Sequence, residues 1–157
     1  MSSTQKLKQK IQPASMTDML NQVLANAIDF RLSAKQAHWN VKGENFIALH
    51  ELFDKISLAA DEYADMLAER VMQLGGTAQG GLQTVSCQSS LSVYPADIRN
   101  GKEHALALSA AISTLADTAR QAIDSAAEAH DAVTADILTE ITRGLDKLRW
   151  LIQSHIT

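Results

Sequence analysis

Apolar residues recur along this chain at the three- and four-residue intervals of an α-helix, not at the two-residue alternation of a strand. Between residues 16 and 40, Met16, Leu20, Val23, Leu24, Ala27 and Ile28 form one such stripe, with Ser15 or Thr17 available as its N-cap. A second stripe, Phe53, Ile56, Ala60, Leu67, Val71 and Leu74, predicts a helix from about Asn45 to Leu74. Gly75-Gly76 closes it, where a glycine can take the left-handed conformation that caps helices. Gly43 ends the turn between the two, so they form a tight antiparallel hairpin. Residues 75–99 lose the periodicity, are rich in Gly, Ser, Thr and Gln, and contain Pro95. They read as a long crossover, part of which can form a short helix. Asn100 with Glu103 three residues on resembles an N-cap and its capping partner, followed by Leu108, Ile112, Leu115, Ala119 and Ile123 as a third stripe. The Ala-rich residues 125–132 read as the next break. Ile137, Ile141, Leu145, Leu148 and Ile152 then mark a fourth helix. Short, long and short connections predict an all-α four-helix bundle with the crossover between its second and third helices.

Composition narrows this further. The 157 residues, 46% of them hydrophobic, suffice for one domain with a sizeable core, read here as a bundle over 16–157 behind a flexible, lysine-containing tail over 1–15. The lone Cys87 permits no intrachain disulfide, and no apolar run approaches the ~20 residues of a transmembrane span, so a cytoplasmic protein without membrane contact is expected. Cys87 itself reads as a structural or incidental thiol. A net charge of -4 argues against a body that wraps nucleic acid electrostatically. Any DNA contact must be local, and the candidates are Lys6, Lys8 and Lys10, which no acidic residue opposes before Asp18. A symmetric oligomer would multiply these weak contacts into avidity.

Five residues carry candidate chemistry: His38, His50, Asp54, Asp65 and Glu69. His50 and Asp54 are four apart, as are Asp65 and Glu69, so each pair shares a helix face and can grip a metal. The pairs are nevertheless 15 residues, or ~22 Å, apart along one helix, too far for a single ion. A second copy of the helix, packed antiparallel across a two-fold axis near Leu58 and Asp61, would lay His50 and Asp54 opposite the partner's Asp65 and Glu69, making two equivalent shared sites. His38 lies five residues before Gly43 and His50 seven after it, so the hairpin turn brings both imidazoles to one level. Carboxylates with imidazoles suit divalent iron, manganese or zinc better than copper(I). A diiron centre inside one bundle would need Glu-x-x-His motifs, and none occurs.

AKQAHWN (34–40), FIALHELFD (46–54) and DMLAERVMQLGG (65–76) resemble the Dps family, the miniature ferritins named DNA-binding proteins from starved cells. Weaker similarity through YPADI (94–98) and TADILTEITRGLDKLRWLI (134–152) extends the resemblance over nearly all the chain after residue 16. It implies a ferritin-like bundle and an intersubunit dinuclear iron site at the five positions, each of which holds the residue type expected. It further implies oxidation of Fe(II), typically by hydrogen peroxide, and storage of the Fe(III) product in a hollow homododecamer. Trp39, beside the first ligand, is by the same resemblance a ring that intercepts radicals, or else simple packing. Lys35, one turn earlier, is positioned to pair with a site carboxylate or to remain a surface lysine. Asp131, Asp136 and Glu140 flank the start of the fourth helix, as helix-dipole partners or as the lining of an iron-entry pore at a three-fold junction. His104, His130 and His155 read as surface residues. The competing readings are a nucleoid-associated, DNA-compacting protein acting through the tail lysines and a helical oligomer without metal.

Overall fold

The computed structural model describes residues 14–156. It contains helices α1 (Met16–Asn40), α2 (Phe46–Gln73), α3 (Leu82–Gln88), α4 (Gly101–Glu128) and α5 (Ala132–Gln153), and no strand among the described residues. α1 and α2 form one antiparallel hairpin and α4 and α5 the other. Contacts of α1 with α4 and of α2 with α5 close the four-helix bundle, and α3, on the crossover, lies against α1. No helix among the described residues is long and apolar enough to cross a membrane. Lys6, Lys8 and Lys10 lie outside the described residues.

The stripes read from the sequence form the core. Leu20, Val23, Leu24 and Ala27 of α1 meet Phe53, Ile56, Ala60, Leu67 and Val71 of α2, with Leu108, Ile112, Leu115 and Ala119 of α4 and Ile141, Leu145, Leu148 and Ile152 of α5. Met16, Ile28, Ile123 and Ile137 sit at its margin, and Leu74 lies outside it as the exposed C-cap of α2. Each fully buried Phe or Leu contributes roughly 1.5–3 kcal/mol relative to exposure.

Local chemistry sets the ends of the helices. Ser15, not Thr17, caps α1: its hydroxyl accepts the Asp18 amide at 3.1 Å while the Asp18 carboxylate accepts the Ser15 amide at 3.1 Å, a reciprocal capping box. Asn100 caps α4 by accepting the Glu103 amide at 2.9 Å. The break expected at 125–132 is shorter than its alanines suggested. Alanine is the best helix former, so α4 continues to Glu128 and only Ala129–Asp131 turn. There His130 adopts φ +56°, and the Asp131 amide reaches back to the Ala126 carbonyl at 2.9 Å. This is the capping geometry for which glycine is usual, because a Cβ is crowded in the left-handed region. His130→Gly is therefore expected to stabilise the protein by about 0.5–1 kcal/mol, read as an upward shift of the denaturant midpoint; a lower midpoint would show that the imidazole makes a compensating contact.

The crossover is held by amides on α1 that hydrophobic patterning does not reveal. Asn21 donates to the Thr77 carbonyl and accepts the Gln79 amide, both at 3.0 Å. Gln22 donates to the Gln88 carbonyl at 2.7 Å. The fully buried Asn26 accepts the Ser90 amide at 2.9 Å and donates to Thr118 at 3.2 Å, joining crossover, α1 and α4. With their hydrogen bonds made, these amides can be buried without the usual cost.

Candidate metal centre

The turn between α1 and α2 is compact because Gly43 takes φ +95° and Asn45 φ +59°, conformations that glycine and asparagine tolerate best. It brings the end of α1 beside the start of α2 and sets the two imidazoles face to face, ring centroids 3.7 Å apart and planes 19° from parallel. The Phe46 ring also stacks on His50, centroids 5.0 Å apart. Each histidine is tied to the other's backbone: His38 Nδ1 lies 2.7 Å from the His50 carbonyl oxygen, and His50 Nδ1 2.7 Å from the His38 carbonyl oxygen. A carbonyl only accepts, so both Nδ1 atoms must donate. A neutral imidazole so bonded carries its lone pair on Nε2, and the fold thereby prepares two Nε2 ligands side by side.

Asp54, one turn beyond His50, is half-buried and bonded to the Lys35 ammonium. That hydrogen bond holds its carboxyl below the usual carboxylate range, with smaller contributions from the charges of Lys35, His38 and His50. Lys35 is thus the partner of a site carboxylate. Trp39 is 68% exposed beside His38.

Asp65 and Glu69 are exposed farther along α2. Asp65 opens onto a surface groove of about 510 Å³ that is also lined by Arg31 and Asp61, themselves paired at 3.1 Å. Among the described residues of one chain, no three His, Cys, Asp or Glu side chains gather closely enough to hold a metal ion. One chain presents two separated halves: the imidazole pair with Asp54 at one end of α2, and Asp65 with Glu69 toward the other. Two imidazoles and three carboxylates are hard or borderline donors, a set that fits Fe(II), Mn(II) or Zn(II) and not Cu(I).

The strip of α2 that carries both halves is also apolar in places where solvent would not favour it. Ile47, Leu58 and Met72 are 61%, 60% and 57% exposed and share a face with His50, Asp54, Asp61, Asp65 and Glu69 at successive intervals of three or four residues.

The other candidates fall differently. Asp131 caps α5: its carboxylate accepts the Thr134 amide at 3.0 Å, the Thr134 hydroxyl at 2.6 Å and Arg70 of α2 at 2.9 Å, and the Thr134 bonds foremost lower its pKa. Asp136 and Glu140 are exposed on α5. His130 and His155 are exposed as expected, and so is Cys87. His104 is not a surface residue: it is 1% exposed, with Nδ1 at 2.5 Å from the Tyr94 hydroxyl. Its place on the apolar face of α4, four residues before Leu108, was the available signal.

A ferritin-like domain model matches residues 17–157. A DNA protection during starvation protein of Agrobacterium fabrum is 46% identical over 143 residues, covering 91% of this chain and 88% of the relative. One from Brevibacillus brevis is 32% identical over 141 residues, covering 88% and 92%. Among solved structures, a Dps protein from Bacillus brevis superposes with a TM-score of 0.86 at 30% identity, covering 90% of this chain and 95% of that one. A Dps protein from Vibrio cholerae, described as a member of a broad superfamily of ferritin-like diiron-carboxylate proteins, superposes with a TM-score of 0.86 at 25% identity, covering 90% and 89%. With a ferritin-like domain model matched over residues 17–157, a DNA protection during starvation protein 46% identical over 91% of its length, and a Dps structure superposing over 90% of it, this chain belongs to the Dps family of ferritin-like proteins.

Proposed function

We propose that the protein is a ferroxidase and iron store, oxidising Fe(II) with hydrogen peroxide at dinuclear sites shared between two subunits and holding the ferric product inside a hollow dodecamer. The observation that carries this reading is the reciprocal bonding of His38 and His50, which leaves two adjacent Nε2 atoms free to bind a cation and has no evident purpose in packing alone. In an antiparallel pair of α2 helices centred between Ala59 and Ala60, His50 lies opposite the partner's Glu69 and Asp54 opposite the partner's Asp65. The same register sets the exposed Ile47 against the partner's Met72 and Leu58 beside the partner's Asp61, so one arrangement both completes the ligand set and covers the apolar strip.

In this reading His38, His50 and Asp54 bind the substrate cations from one subunit, and Asp65 and Glu69 from its mate. Lys35 keeps Asp54 ionised and oriented until a divalent cation displaces it. One peroxide accepts two electrons, one from each of two Fe(II), and its O–O bond breaks to give water-level oxygen; the ferric ions hydrolyse to oxide and release protons. Consuming Fe(II) and peroxide together limits hydroxyl radical formation. Trp39 is placed to intercept an oxidising equivalent that escapes. Asp136 and Glu140 are proposed to line the entry pore, with Asp131 fixed behind them as a cap; an unchanged iron uptake rate in Asp136→Lys would count against that assignment.

The relatives' name, DNA protection during starvation protein, favours a DNA-related role beside the iron chemistry. Lys6, Lys8 and Lys10 are the proposed contacts, in a cytoplasmic and nucleoid-associated protein. Deleting residues 1–12 should abolish retardation of DNA at low salt and leave iron oxidation intact. Retardation that survives the deletion would move the contact to the bundle.

A further inference from the structure

We propose that His104 and Tyr94 form an acid-sensitive latch that holds the far end of the crossover and the first turn of α4 against the back of the hairpin carrying His38 and His50, and that opens when His104 takes up a proton. His104 sits on the inner face of α4, 1% exposed, its ring stacked on Tyr94 at 6.0 Å and edge-on to Phe53 of α2 at 6.3 Å. Tyr94 comes from the crossover, seven residues before α4 begins, so the 2.5 Å contact between its hydroxyl and His104 Nδ1 joins two segments across a helix start. The same region grips the hairpin. The Lys42 amide donates to the Arg99 carbonyl at 2.9 Å, and Gly101 packs so closely on Leu49 of α2 that no Cβ fits between them. The ring and hydroxyl contacts of the latch are made between His104, Tyr94 and Phe53, none of which is a candidate ligand.

The neutral imidazole is the only form this pocket suits. Its Nε2 is buried and has no hydrogen-bond partner among the described residues. If Nδ1 accepts from Tyr94, the ring's one proton already sits on the unpartnered Nε2; if Nδ1 donates, Nε2 holds an unpartnered lone pair. In either tautomer a second proton puts a full charge in an apolar site, and in the first it also turns the acceptor of the Tyr94 bond into a donor. The groups bearing on it are Tyr94 from the crossover, itself pushed upward by burial, and Glu103 from α4, while α2 contributes the uncharged Phe53 ring. Burial outweighs Glu103 and holds the His104 pKa below its ordinary value of 6.5. Above pH ~6.5 neither the closed nor the opened state carries the proton, and the latch has its full strength. As pH falls below that value the opened state is protonated first, and opening is favoured by about tenfold per pH unit until the closed state titrates as well.

The test uses the full-length, iron-free protein. Amide hydrogen exchange followed by mass spectrometry, corrected for intrinsic rates, is expected to accelerate on going from pH 7.5 to pH 5 in peptides covering residues 91–104, and to lose that acceleration in His104→Asn. Exchange of the imidazole C2 proton in the unaltered protein supplies the second measurement: His104 should titrate below its ordinary value of 6.5. Equal acceleration in His104→Asn, no acceleration at all, or a His104 titration at or above 6.5 would each overturn the proposal. The imidazole measurement decides the matter even if the variant does not fold.

Discussion

Replacing His50 and Asp54 together by alanine is expected to slow peroxide-driven Fe(II) oxidation by on the order of 100-fold or more, since even the groups that merely orient a metal ligand are worth 10- to 100-fold. The protein is loaded with Fe(II) without oxygen, hydrogen peroxide is added, and ferric absorbance is followed. The Asp65→Ala, Glu69→Ala double variant should fail equally, although its substitutions lie about 22 Å away along the same helix. Mixing the two dead variants distinguishes a shared site from two unrelated ones. If subunits are unfolded together and refolded as random pairs, half of the pairs are mixed, and each mixed pair holds one intact site of two. About a quarter of the original fast oxidation should return, a result that a site within one chain cannot produce. Rates equal to the unaltered protein in either double variant would remove the ferroxidase reading and leave the DNA-binding one.

The second large effect is expected at Leu58, which binds no metal. In the proposed pairing both copies of this residue lie near the two-fold axis, beside Asp61. Leu58→Glu removes apolar burial worth roughly 1.5–3 kcal/mol at each of two positions and brings two further carboxylates against existing ones. The assembly should fall apart into smaller species by light scattering, and fast iron oxidation should be lost with all five ligands in place. In a lone chain residue 58 is 60% exposed, so the fold of the subunit should survive, with unchanged helical circular dichroism. Intact assembly with normal oxidation would mean that this strip of α2 does not form the interface.

Features of this fold with a local cause are legible in the sequence, and those with a distant cause are not. Helix positions followed from spacing because burying one face of a helix imposes a 3.6-residue period on the sequence, and Met16–Asn40 matches the predicted span. The four-residue spacing within His50/Asp54 and within Asp65/Glu69 was legible for the same reason. The end of α4 was misplaced because a run of alanines resembles a break in an apolar stripe, while its backbone has the strongest preference to remain helical. His104 was misplaced because its spacing from Leu108 on the apolar face of α4 is a weak signal for a polar ring, and the Tyr94 hydroxyl that partners its Nδ1 comes from the crossover, outside the helix.

The sequence by itself therefore determined the helices, their order, the long crossover and the five candidate ligands, because these rest on periodicity within a helix, on its loss between helices, or on residue spacing across the short turn at Gly43. Only the tertiary structure decided that His38 and His50 stack and lock each other's tautomer, that Lys35 takes hold of Asp54, that Asp131 is engaged as a cap, and that Asn21, Gln22 and Asn26 tie down the crossover. Each of these depends on a directional polar contact between residues from separate parts of the fold or across a turn, where a few tenths of an ångström and a bond angle separate a partner from a neighbour, and no spacing along the chain encodes that.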